Sequence, residues 1–191
     1  MNEIMLDELL TKIEKQAKEL YGENYKEIIA SKEVATEYIQ QIDKLFLQNL
    51  DSIKYPDYYG GKYINDEGNL VVEIIASSVP EKSDKTYQKF NSIISNKEDI
   101  MIRYVDNSYN NLDIVNEQIT SYFKSGQEFE GFIGSYIDEK SNLVIVELEN
   151  DSLTSQNKFK NEVINSDLIK ITSGTMAMFS SATLNSGAPL P

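Results

Sequence analysis

The sequence predicts an α+β fold, with N-terminal helices followed by two duplicated β-β-α-β lobes carrying small antiparallel or mixed sheets. Three observations lead there. Apolar residues recur at helical spacing through the first fifty positions. Beyond Tyr55, strand-like runs alternate with turns and single helices. The later part of that region then repeats the order of the earlier part.

The first helix is read from Leu6, Leu9, Leu10, Ile13, Ala17 and Leu20, which share one face, with Gly22 as its stop. A short helical piece is expected at Tyr25 to Ala30. Ser31 is then placed as the cap of a second long helix, whose stripe is Ala35, Tyr38, Ile39, Ile42, Leu45 and Phe46. Both stripes read as packing faces. Their polar faces mix charges, unlike the basic faces of helices that lie on membranes.

At Tyr55-Pro56-Asp57 the pattern breaks, because proline cannot continue a helix. Lys62 to Ile64 and Leu70 to Ile75 flank an Asn65-Asp66-Glu67-Gly68-Asn69 turn and read as a hairpin. Tyr87, Phe90, Ile93 and Ile94 follow at helical spacing, with Ser83 as cap, and Ile100 to Val105 reads as a third strand. Leu112, Val115, Ile119, Tyr122 and Phe123 mark a connecting helix ending near Gly126. Phe132 to Ile137, Leu143 to Leu148, a helix marked by Phe159, Val163 and Ile164, and Leu168 to Ile171 repeat the order. A gapless offset of 73 pairs Gly61 with Gly134, Tyr63 with Tyr136, Ile64 with Ile137, Asn69 with Asn142, Leu70 with Leu143 and Val71 with Val144. After Gly174 the chain is small, nearly uncharged and reads as an extended tail.

Composition narrows the chemistry. With 18 basic and 31 acidic residues the net charge is −13, which disfavours phosphate-backbone binding, so no nucleic-acid partner is expected. Solubility is the default role of such charge, and steering toward a basic partner the sharper one. The 191 residues contain no Cys and no His. A Ser-His-Asp triad, a thiolate nucleophile and a His-based metal site are therefore ruled out, and the chain is expected to be non-catalytic, with no cofactor and no metal. No apolar run approaches the length of a membrane span, and residues 1–20 do not form a signal peptide. The 65–69 turn lacks EF-hand spacing, no Lys-Ser/Thr follows Gly60-Gly61 as a phosphate loop requires, and Glu147, Glu149 and Asp151 read as a solvated strand end. The twelve Tyr residues read as packing groups.

The stretch Tyr59-Gly60-Gly61-Lys62-Tyr63-Ile64-Asn65, followed by Leu70-Val71-Val72, resembles the start of the pro-region of bacterial chymotrypsin-like serine proteases of the alpha-lytic protease and streptogrisin type. Gly134-Ser135-Tyr136-Ile137-Asp138 with Asn142 to Glu147 resembles that family's second hairpin, with Tyr136 or nothing where the family has Trp. Arg103 to Leu112 is similar to its strand and helix entry. The likeness covers about 55–171.

The resemblance implies a module that helps a protease domain fold and then inhibits it, with the second lobe's sheet adding to a protease hairpin and the tail entering the substrate cleft. The partner would be a chymotrypsin-like serine protease, in cis or in trans. The implied contacts are Leu168, Ile169, Lys170 and Ile171 as sheet edge and Thr175, Met176, Met178 and Phe179 as tail, with Phe132 to Ile137 an equally possible edge. The implied division is 1–54 helical, 55–108 first lobe, 109–127 connecting helix, 128–173 second lobe and 174–191 tail. A regulatory or protein-interaction domain of the same fold, with no dedicated protease, is the alternative. The chain is expected to be part of a longer secreted or cell-surface precursor, or a stand-alone relative, with a cytoplasmic location still open.

Overall fold

The computed structural model describes residues 3–46, 55–81, 83–95 and 97–175, with side chains from Leu9 onward. The fold is α+β: helices α1 (Glu3–Tyr21) and α2 (Tyr25–Phe46) precede two three-stranded sheets. The first contains β1 (Tyr59–Ile64), β2 (Leu70–Ile74) and β3 (Ile100–Tyr104), with α3 (Lys85–Ile94) between β2 and β3. Helix α4 (Tyr109–Lys124) leads to the second, with β4 (Phe132–Asp138), β5 (Leu143–Leu148), α5 (Leu153–Glu162) and β6 (Ile169–Ser173).

In each sheet the middle strand pairs antiparallel with its hairpin partner and parallel with the strand after the helix. The orders β1-β2-β3 and β4-β5-β6 leave β1, β3, β4 and β6 as edges. Among the described residues, β4 and β6 are both outer strands of the second sheet.

Each sheet buries one face under helices. In the first lobe Leu70, Val72 and Ile74 of β2 alternate onto Ala35 and Ile42 of α2 and Phe90 and Ile94 of α3. Aromatic rings close that core: Tyr55 stacks on Tyr59 at 5.0 Å, and Tyr109 from the start of α4 meets Tyr55 edge-on at 4.8 Å. In the second lobe Val144, Val146 and Leu148 pack on Leu112, Val115 and Ile119 of α4 and Phe159 of α5. Helix α4 also serves the first lobe, where Asn110 exchanges hydrogen bonds with the Tyr55 backbone at 3.0 and 2.5 Å.

Several expectations change. There is no break at Ser31: α2 runs unbroken from Tyr25, since nothing in Tyr25 to Ala35 forbids a helix and the turn before it already ends α1. Asp84, not Ser83, caps α3, its carboxylate accepting from the Tyr87 amide at 2.7 Å. Helix α5 ends at Glu162, leaving Val163 as its cap. The apolar stripe of α1 is only partly a packing face. Ala17 is buried, but Leu9, Leu10, Ile13 and Leu20 are 48, 51, 51 and 75% exposed, because among the described residues α2 is the main element packed on it.

The duplication also needs one correction. Both hairpins carry a register irregularity 73 residues apart, at Tyr59/Gly61 and Phe132/Gly134. Gly61, however, faces Glu73 and Gly134 faces Glu147, so the return strands are offset by 74. The second turn holds one extra residue, and the gapless pairing of Asn69 with Asn142 fails. Asn142 is instead the counterpart of Gly68. Both have positive φ (55 and 89), and their amides donate to Glu139 O and Asn65 O at 3.1 and 3.0 Å.

Gly68 presses the first turn against α2. An added Cβ would lie 2.7 Å from the Ile28 carbonyl oxygen and 3.0 Å from Ser31 Cβ, whereas at Gly22, φ +75, it would meet nothing within 4 Å. Both Ala substitutions incur the left-handed backbone penalty of about 1 kcal/mol. Only Gly68→Ala adds overpacking of about 1–3 kcal/mol. Urea unfolding should rank Gly68→Ala clearly below Gly22→Ala; equal losses would mean the turn does not bear on α2.

Candidate interaction site

The proposed edge, β6, forms because Ile169 and Ile171 alternate onto the second core while Lys170 points away. Leu168 lies just before the strand, its carbonyl accepting from the Val144 amide at 2.8 Å. Leu168 and Ile171 are half-buried and Ile169 is buried, so these three side chains are largely spent on the core. What β6 offers a partner is its outer main-chain groups and the exposed Lys170. Among the described residues no strand pairs with that outer side. Thr175 is exposed, and Met176, Met178 and Phe179 lie outside the described residues.

The counterpart edge, β3, differs in chemistry. Register matches Lys170 to Met101 and Thr172 to Arg103. Met101, Ile102 and Tyr104 are 51, 44 and 69% exposed, so the first lobe has the more apolar edge. Sequence reading missed it, although an unbroken Ile-Met-Ile run in a last strand is the signal that would reveal it.

The structure also builds a junction that no motif announced. Glu73, the penultimate residue of β2, is fully buried and pairs with Arg103 on β3. Arg103 then reaches into the second lobe, donating to the carbonyls of Glu139 and Lys140 at 2.9 and 2.8 Å. Its guanidinium also sits 5.6 Å from the Tyr63 ring. The buried Asn142 completes the contact. It exchanges three hydrogen bonds with Asn107, each 2.9 Å, and its Nδ2 lies 3.5 Å from both Gly60 O and Glu73 Oε2. Burial, only partly offset by Arg103, pushes the Glu73 carboxyl up to about 7. Burial also raises Glu139, against the pull of its own amide and Lys62. The signal in the sequence was a lone Glu inside the apolar run Leu70 to Ile75, a place where a charge needs a partner.

Fold and junction define a two-lobed α+β module whose halves are locked by buried polar contacts and whose sheets, among the described residues, keep free edges. The chain belongs to the Pro-like family: residues 7–105 match the Pro-like N-terminal domain and residues 110–174 the Pro-like C-terminal domain. No curated protein matches it.

Asn142 is the place to test the lock. Asn142→Gly keeps the positive φ and the bond to its own carbonyl but loses the two side-chain hydrogen bonds to Asn107, an expected loss of about 1–3 kcal/mol. Asn142→Ala should lose a further ~1 kcal/mol or more to backbone strain. If chemical denaturation finds Gly and Ala equal, the left-handed backbone carries no energetic weight there.

Proposed function

We propose that this chain is a non-catalytic pro-region-like module that assists the folding of a chymotrypsin-like serine protease and inhibits it. The observation that carries the reading is the ordered match to Pro-like N- and C-terminal domains over most of the chain, which supports a pro-region role and hence a protease partner. The resemblance of the two hairpins to the alpha-lytic and streptogrisin type supports the protease class.

The mechanism rests on β6. A strand with an unoccupied outer side can accept a protease hairpin through main-chain hydrogen bonds, which demand little of side chains already committed to the core. Lys170 would favour an acidic group across that seam. Residues 175–191 would follow directly into the substrate cleft, and their lack of charge suits an extended, product-like occupant. The reactive groups of such a system belong to the protease, and the setting would be a secreted or cell-surface precursor.

Two measurements test this. The chain, added in trans to the unfolded chymotrypsin-like protease encoded with it, should raise the yield of active protease and then inhibit it. Failure of both would leave a regulatory domain of the same fold. Deleting residues 175–191 should weaken inhibition by roughly tenfold or more, about 1.4 kcal/mol of binding, with the melting temperature unchanged. An unaltered inhibition constant would remove the tail from the mechanism.

A further inference from the structure

The outer face of the first sheet is covered where Glu73 sits. The β4–β5 turn lies over it, with Glu139 against Gly61 and Asn142 against Gly60 and Glu73. The charged groups facing this point come from every neighbouring element. Arg103 reaches it from β3, Asp138 from the end of β4, Glu139 from the turn, and Lys62 of β1 acts on Glu139. Lys62 is itself held by Asp43 of α2 at 2.5 Å. Thus Arg103 is the one cation that Glu73 meets directly among the described residues, and it is shared with two carbonyls of the other lobe.

Seating the turn on the first lobe withdraws Glu73 from water and brings Glu139 beside it. Each effect opposes ionisation, so the seated state holds a proton on Glu73 more tightly than a state in which the turn has lifted. We propose that this junction is a proton-controlled latch, in which acidification seats the β4–β5 turn against the first lobe and ionisation of Glu73 beside Glu139 loosens it. The direction follows from linkage. In the covered state burial holds the Glu73 carboxyl up at about 7, above the ordinary 4.5, and the turn supplies part of that burial. The covered state therefore binds more protons within that window, and its advantage is lost as pH rises through it. Asn107–Asn142 and the Arg103–carbonyl bonds hold the turn at either pH; only the margin changes.

Hydrogen exchange on the full chain reads this directly. Peptides covering residues 138–143, corrected for intrinsic chemical exchange, should show opening that rises roughly tenfold or more from pH 5.5 to 8. Glu73→Gln, neutral and of nearly the same shape, should hold opening near the low-pH value throughout. Protection that does not change with pH in the native chain, or a pH slope that survives Glu73→Gln, overturns the latch. Should Glu73→Gln fail to fold, carboxyl ¹³C titration of the native chain decides. A Glu73 midpoint near neutrality supports the latch, and a midpoint near 4.5 overturns it.

Discussion

A carboxylate with no exposure, on the central strand of a sheet, has to be matched or neutralised. Glu73 sets that constraint, and the way it is met joins the two lobes. Arg103 supplies the countercharge from the next strand, but a guanidinium has five donors and one carboxylate cannot use them all. Two of the spare donors go to the Glu139 and Lys140 carbonyls, groups that a two-residue hairpin would not have presented, while Nε finds no hydrogen-bond partner among the described residues. The longer second turn supplies them. Its extra residue also lets Asn142 stand where the first turn has Gly68. A glycine there could shape the turn; only a side chain such as Asn can also bond across to Asn107.

Much of the fold was legible because it depends on local pattern. The helical stripe of α2, the hairpins around 65–69 and 138–142 and the strand runs all express periodicity within a few residues. Helix starts were less legible, since Ser83 and Asp84 are both good caps and only the hydrogen bond to Tyr87 decides between them. The offset error had a similar source. Asn69 and Asn142 look alike as letters, whereas positive φ and turn hydrogen bonding group Asn142 with Gly68. Backbone conformation, not side-chain identity, is what the two turns share.

The junction was not legible, for a physical reason. Glu73 and Asn142 are 69 positions apart, and their proximity depends on how α4 packs on both sheets. Periodicity reports which face of an element is buried, not what covers the opposite face. The first sheet has a covered outer face, and nothing in the alternation of Leu70, Val72 and Ile74 distinguishes that from a face open to water. The polar residue within the run was the sole clue.

The second lobe carries the counterparts of these residues. Glu147 occupies the position of Glu73, and Thr172 that of Arg103. The second sheet thus keeps the acid and drops its cation. That is tolerable because Glu147 is only half-buried, beside Tyr136, and no third lobe among the described residues covers it. Within one chain, then, a sheet of this design is seen both covered and bare. The covered one requires charge matching and a turn shaped to deliver it. The bare one, with Tyr136, Glu147, Lys170 and Thr172 along its outer side, carries polar groups that water can satisfy. A partner seated there would meet the requirement the second lobe meets at Glu73: a buried acid needs a donor from the incoming surface, or a proton.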